Sequence, residues 1–174
     1  MKTQQLIVLT VVLTMAMGAT YSTQSGLLSA DLVKDWEAQK EIMMKISNEM
    51  PEDTFNFKAT PTQRSWGEQI LHVAGANVGL MQMLGSTVPA PVIDQASNSK
   101  TAILSALNDS FDFGSAVLAE MDDTSLQQIV KGPSFFGDGT RVKFAYRTMM
   151  HTENIYGQMV VYLRLNGLVP PASQ

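Results

Sequence analysis

The sequence contains no cysteine. This absence excludes disulfide bonds, thiolate metal ligands, a cysteine nucleophile and a lipoprotein anchor. Stability must therefore come from a packed core, and hydrophobic residues make up 45% of the 174 residues, enough for one domain of this length. Histidine is almost as scarce, since only His72 and His151 are present. Any imidazole-based site has to be built from these two side chains.

Charged residues are also few, at 16% of the sequence, and the net charge is −4. The sequence has no run of basic residues, so nothing in it favours nucleic-acid binding. It also has no internal repeat and no glycine-rich phosphate loop, because the segment 137–139, Gly-Asp-Gly, matches only a turn. We therefore expect a single domain with no nucleic-acid partner.

The first 19 residues differ in pattern from the rest of the chain. Lys2 is followed by an apolar run of 12 residues, from Leu6 to Met17, and then by the small residues Gly18 and Ala19. A core of this length is typical of a secretory signal peptide and is shorter than the roughly 20 residues of a spanning helix. We expect residues 1–19 to be removed from an exported protein, periplasmic or secreted, with no stable membrane span afterwards. An uncleaved anchor is the alternative.

Four long segments carry the spacing of amphipathic helices. The first opens near Ser29 and ends before Pro51; the second opens at the capping box formed by Ser65 and Glu68. The third covers about 99–121. The fourth covers about 141–166, and Gly167 followed by prolines ends it. These segments predict an all-α fold, a four-helix bundle, whose long 86–97 connection permits parallel second and third helices.

Two shorter stretches between the helices also have interpretable patterns. Phe55 and Phe57 alternate at period two, which predicts an extended strand-like plug over one end of the core. The segment that starts at Asp122 has the composition of a short capped turn of helix.

The fourth helix is apolar on two nearly opposite sides, which predicts burial on both. Within it, a polar stripe is formed by Arg147, His151, Asn154 and Gln158, which fall within about 60° of one another. Buried polar groups need partners, so the stripe is either a hydrogen-bond network or a site. On the second helix, Glu68 and His72 share a side with two glycines that leave room for a neighbour.

The two histidines lie on different helices, each about 10–15 Å from its helix start, so they can meet inside a bundle. Imidazole suits zinc, nickel, iron or copper. A third ligand would have to come from water or from one of the nearby polar side chains, which are Glu68, Glu153, Asn154 and Gln158. Methionines beside His151 leave Cu(I) binding or plain core packing open. The competing interpretation is a neutral histidine pair bonded into the Asn154–Gln158 stripe.

Three motifs resemble the DinB-like superfamily, the damage-inducible and YfiT-like four-helix-bundle metalloproteins. They are Met50-Pro-Glu-Asp with Phe57-Lys, then Arg64-Ser-Trp-Gly-Glu-Gln-Ile-Leu-His72, and His151-x4-Tyr-Gly-Gln158-x3-Tyr-Leu-Arg-Leu-Asn-Gly-Leu-Val-Pro-Pro. The resemblance covers residues 27–173. It implies a left-handed up-down-down-up four-helix bundle, and family members often form homodimers.

The resemblance also implies a metal site with one histidine on the second helix and two histidines, four residues apart, on the fourth. His72 and His151 match two of these ligands, whereas the third place holds Ile155, so the site for zinc or nickel is incomplete. Further pocket residues would be Glu68, Asn154, Gln158 and Tyr162. We therefore expect an exported small-molecule or metal-binding, or scaffold, protein. The alternative is a metal-dependent hydrolase or thiol-dependent transferase in which Glu68 or water completes the site.

Overall fold

The structure, a computed structural model, describes residues 26–174. The predicted signal peptide, residues 1–19, lies outside the described residues. Five helices follow one another, namely α1 (Leu27–Glu49), α2 (Trp66–Gln82), α3 (Lys100–Ala119), α4 (Asp123–Leu126) and α5 (Arg141–Leu165). Between the last two lies an antiparallel pair of two-residue strands, β1 (Ile129–Val130) and β2 (Gly139–Thr140). The predicted all-α four-helix bundle is confirmed, and the small hairpin is an addition to it.

The start of α2 and the end of α5 are capped as the sequence predicts. At the start of α2, the Ser65 hydroxyl accepts a bond from the Glu68 backbone N–H at 3.3 Å. The Glu68 carboxylate accepts one from the Ser65 N–H at 2.6 Å, which completes the capping box. Beyond α5, Gly167 has a φ of +73°, and the Leu168 N–H donates to the Leu163 carbonyl at 2.9 Å. Such a left-handed residue favours glycine and closes the helix.

Contacts between named residues fix the direction of each long helix. Asn77 bonds Ser110 in the middle of α2 and α3, and Ser86 bonds Glu120 just beyond their ends, so these helices are parallel. Lys100, at the start of α3, donates to the Met50 carbonyl just after α1, so α1 and α3 are antiparallel. Contacts between α2 and α5 run in opposite directions along the two helices. The up-down-down-up order is therefore present.

The core lies between the four long helices, but α5 contributes to it differently from the prediction. Its buried side chains form one broad face, which comprises Phe144, Ala145, Thr148, Met149, Thr152, Ile155, Met159, Tyr162 and Leu163. Leu165 and Val161 are exposed. A helix in a four-helix bundle meets its two neighbours at adjacent faces, so burial on two opposite sides was a wrong interpretation. No helix within residues 26–174 combines the length and apolarity needed to cross a membrane.

The predicted extended plug at 51–57 is also wrong. Residues Glu52–Thr54 form a 3₁₀ turn, because the Thr54 N–H and hydroxyl both donate to the Pro51 carbonyl, at 3.1 and 2.8 Å. This local side-chain bond favours a turn over an extended chain. Phe55 is nevertheless buried, and Phe57 is half-buried with its ring edge-on to Tyr162 at 6.1 Å.

Candidate functional site

The two histidines meet across the seam between α2 and α5. The Nε2 atoms of His72 and His151 are 3.0 Å apart, and the ring centroids are 4.9 Å apart with planes inclined at 66°. An Nε2–Nε2 distance of 3.0 Å corresponds to a hydrogen bond between the two imidazoles, in which one ring donates and the other accepts. The sequence-based expectation that the pair can meet agrees with this geometry.

The environment of His151 indicates which ring donates. Its Nδ1 atom is buried and has no hydrogen-bond partner among the described residues. A buried N–H without a partner costs more than an empty acceptor. The proton of His151 is therefore best placed on Nε2, from which it donates to His72, and His72 then carries its own proton on Nδ1. We infer this tautomer from hydrogen-bond satisfaction.

Both imidazoles are uncharged at neutral pH. The pKa of His72 is lowered to about 4, chiefly by burial and additionally by the electrostatic effect of Arg64 and then of His151. The pKa of His151 is lowered by burial first and by the Arg64 charge second. Arg64 therefore acts on both rings, although it precedes α2 and lies outside the predicted stripe.

Two open recesses border His72. The first, of about 460 Å³, is lined by both histidines together with Leu80, Phe136, Arg147, Met150, Asn154 and Ile155. The second, of about 450 Å³, is lined by His72 together with Lys58, Thr62, Gln63, Arg64, Glu68 and Gln95. We call the two recesses together the histidine cleft. Each recess is large enough for a small organic molecule.

Comparison with known proteins bears on the fold alone. No family model and no curated protein sequence matches the chain. A solved structure does match: the crystal structure of a DinB-like protein from Bacillus cereus, with a TM-score of 0.72 and 18% sequence identity. The match covers 82% of this chain and 95% of that chain. The chain has the DinB-like fold.

In this example of the DinB-like fold, the position expected for a third metal ligand faces the cleft but cannot bind a metal. Ile155 is one turn beyond His151, is 4% exposed and lines the same recess. Glu68 lies in the other recess, where its carboxylate caps α2 and pairs with Lys58 at 3.3 Å. Within residues 26–174, no group of three histidine, aspartate or glutamate side chains is arranged to hold a metal.

The predicted polar stripe lies at the surface of α5 and is not buried, and only Asn154 and Gln158 of its four residues belong to a hydrogen-bond network. Arg147 and Asn154 are exposed, and His151 and Gln158 are half-buried. Gln69 donates to Gln158 at 2.9 Å, and Gln158 donates to Asn154 at 2.8 Å. His151 makes no bond to this chain of amides, because its Nε2 is already engaged by His72. The expectation that His151 bonds to Asn154 or Gln158 is therefore wrong.

Tyr162 does not line the cleft. It is 1% exposed, and its hydroxyl donates to the backbone carbonyl of Arg64 at 2.7 Å. This bond ties the loop before α2 to the end of α5. Tyr162 thus positions Arg64, a role that the sequence pattern did not reveal.

Sequence reasoning also missed a buried polar cluster next to the cleft. Asn77 donates to Ser110 at 3.2 Å and accepts from Thr152 at 3.2 Å, and all three side chains are fully buried. The cluster connects α2, α3 and α5. Its signal was a single asparagine inside the otherwise apolar second half of α2, which marks a position whose side chain needs partners.

Proposed function

We propose that the chain is an exported binding protein with the DinB-like fold, and that it holds a small molecule in the histidine cleft. The observation that supports this most is the pair of neutral, half-buried imidazoles, of which His72 lines both recesses. The His72 ring makes no hydrogen bond to the described residues besides the one to His151, so its Nδ1 edge is free for a ligand. Convergent polar groups of this kind in a concave site are typical of ligand recognition.

A resident metal fits these residues poorly. Tetrahedral zinc holds nitrogen ligands at about 2.0–2.1 Å, which places two imidazole nitrogens about 3.3 Å apart. The observed 3.0 Å between the Nε2 atoms is close to that distance, so the pair could hold one zinc or nickel ion through two bonds. Ile155 supplies no third bond, and two imidazoles with water hold a divalent ion weakly against competition. We therefore propose a small organic molecule, and not a metal ion, as the main ligand.

The enzyme alternative, a metal-dependent hydrolase or thiol-dependent transferase, would need Glu68 or water to complete the site. Glu68 would have to leave the Ser65 N–H and Lys58, and the capping box at the start of α2 would lose one of its two bonds. Losing one such hydrogen bond costs about 0.5–1.5 kcal/mol. This cost disfavours an enzyme in which Glu68 is the third ligand.

The proposal is tested with the two histidines as reporters. With only two histidines in the chain, the imidazole Cε1 protons give two resonances in an NMR spectrum of protein prepared without a histidine tag. We expect several members of a panel of neutral, anionic and cationic aromatic fragments to shift both resonances. The indole resonances of the buried Trp36 and Trp66 should stay in place. A panel in which no fragment moves either histidine would overturn the proposal.

Titration of the same sample with zinc chloride separates the binding protein from the enzyme. We expect weak binding in fast exchange, which either His72→Gln or His151→Gln removes. Stoichiometric, tight zinc binding by the wild type would instead favour the metal-dependent enzyme. Glu68→Gln would then show whether that carboxylate is the missing ligand.

A further inference from the structure

The charge of the histidine cleft is opposite to that of the whole chain. The chain carries a net charge of −4. The cleft is lined by three cations, Lys58, Arg64 and Arg147, and by one carboxylate, Glu68. The other polar residues of its lining, besides the two neutral histidines, are uncharged. Three positive charges against one negative charge leave the cleft at +2.

Arg64 is the cation with the greatest influence on the histidine pair. No carboxylate of the described residues lies within ion-pair distance of its guanidinium. Its backbone is held by the Tyr162 hydroxyl at 2.7 Å, so its position follows α5. Its side chain is exposed to the cleft, and its charge acts on both imidazoles. An unneutralised arginine near the free Nδ1–H of His72 is an arrangement that favours an anion.

Arg147 lies on the other side of the histidine pair. Its guanidinium carbon is 5.0 Å from the centroid of the Phe136 ring, a cation–π contact. Phe136 is itself tethered, because its N–H donates to the Pro133 carbonyl at 2.9 Å and its carbonyl accepts from Lys143 at 3.1 Å. No carboxylate within residues 26–174 pairs with Arg147. The recess beside it also has an apolar wall, formed by Leu80, Phe136, Met150 and Ile155.

The only carboxylate of the cleft does not compete for these arginines. Glu68 accepts from the Ser65 N–H at 2.6 Å and pairs with Lys58 at 3.3 Å. Its pKa is lowered chiefly by the Ser65 backbone bond, so it stays ionised and bound there. The charge that remains for a ligand is therefore that of Arg64 and Arg147.

We propose that the ligand of the histidine cleft is an amphiphilic organic anion, with a carboxylate or phosphate head and an apolar body. This inference rests on the proposed function and names its ligand class. The head lies between Arg64 and the Nδ1 edge of His72, and the apolar body lies against Leu80, Phe136 and Ile155. The Arg64 guanidinium matches the planar, two-oxygen face that both head groups present.

The probes are octanoate and phenyl phosphate, with octylamine and octanol as cationic and neutral counterparts. Binding is followed through the two histidine resonances and by calorimetry at low ionic strength. We expect octanoate or phenyl phosphate to bind at least about tenfold more tightly than octylamine or octanol. Preference for octanoate would identify a carboxylate head, and preference for phenyl phosphate a phosphate head.

Variants assign the binding to named residues. Arg64→Gln should weaken anion binding by about tenfold and Arg147→Gln by a smaller factor, because a charged hydrogen bond is replaced by a neutral one. Arg164→Gln is the matched control, since it removes an exposed arginine that lies in α5, as Arg147 does, but does not line the cleft. It should leave binding unchanged.

Two results would overturn the inference, and they differ from failure of the proposed function. If octanol and octylamine shift the histidines as strongly as octanoate does, the cleft binds ligands without selecting anions. If Arg64→Gln and Arg164→Gln weaken anion binding equally, the effect is general electrostatics and not a site. If no probe moves either histidine, the proposed function fails together with the inference.

Discussion

Replacing Ile155 by histidine should convert the histidine cleft into a zinc site. Ile155 lies one turn after His151 and lines the same recess as both histidines, and residues four apart on a helix share a face. The existing Nε2 atoms, 3.0 Å apart, need to separate by only about 0.3 Å to bind one tetrahedral ion. Three imidazoles with one open position form a set that holds zinc.

The structure also gives the size of the effect. Ile155 is 4% exposed, so exchanging it for a polar ring should lower the free energy of unfolding by about 1–3 kcal/mol without metal. Zinc at about 100 times its dissociation constant should return about 2.7 kcal/mol through binding to the folded state. For a chain of this size that corresponds to a rise in melting temperature of about 5–10 °C.

The assay is thermal melting and calorimetric titration of wild type and Ile155→His, each with and without zinc chloride. Ile155→Gln is the matched control, because it introduces a polar group of similar size without an imidazole. A second control adds His151→Gln to Ile155→His and should abolish the gain. Equal zinc affinity of wild type and Ile155→His would refute the reasoning, since the imidazoles would not converge on one point.

Three further predictions concern stability. Asn77→Ala should lower the free energy of unfolding by about 2–3 kcal/mol in urea, because it removes two buried hydrogen bonds and leaves a cavity. Gly114→Ala should lower the free energy of unfolding by about 1–3 kcal/mol, because its new methyl group meets the Trp36 ring of α1. Gly157→Ala should raise the free energy of unfolding by about 0.5–1 kcal/mol, because its methyl group meets no atom within 4 Å. Equal effects of the two substitutions would contradict the packing. The pKa of His72, lowered from 6.5 to about 4, makes the unfolded chain bind more protons than the folded one between those pH values. Stability should therefore be full above pH 6.5 and fall by about 1–2 kcal/mol towards pH 4.5, after discounting for solvent screening. A double His72→Gln, His151→Gln variant should lose most of the slope between pH 6.5 and 5.

The long helices could be predicted from the sequence because their signals are local. Ser65 and Glu68 lie three residues apart, and Gly167 lies two residues after the end of α5, so each cap depends only on its own segment. The 3₁₀ turn at Glu52–Thr54 was missed because it depends on a bond from the Thr54 hydroxyl to the Pro51 carbonyl. The alternation of Phe55 and Phe57 carries no information on such a bond.

The site was only partly predictable, because its contacts join segments that are distant in the chain. The convergence of the two histidines followed from their similar depth in two helices. The role of Tyr162 did not, because it depends on a bond to a backbone carbonyl 98 residues away. Likewise, the position of Arg64 beside both imidazoles depends on how the loop before α2 folds back. Side-chain spacing within one helix carries no information on such contacts.

The arrangement of α5 explains why one cleft can combine charge, polarity and an apolar wall. Arg147, His151 and Ile155 follow one another at four-residue spacing and line the same recess, so they present a cation, an imidazole and an aliphatic group over about 12 Å. Because α2 is antiparallel to α5, Arg64 reaches the cleft from the end opposite to Arg147. The two arginines therefore lie on either side of the histidine pair. Arg147 is held by the Phe136 ring, whereas Arg64 has no carboxylate within ion-pair distance among the described residues and acts on both imidazoles. Ile155, at the position where the resemblance predicts a third ligand, offers no metal bond and forms part of the apolar wall of the recess, against which we propose that the body of the organic anion lies.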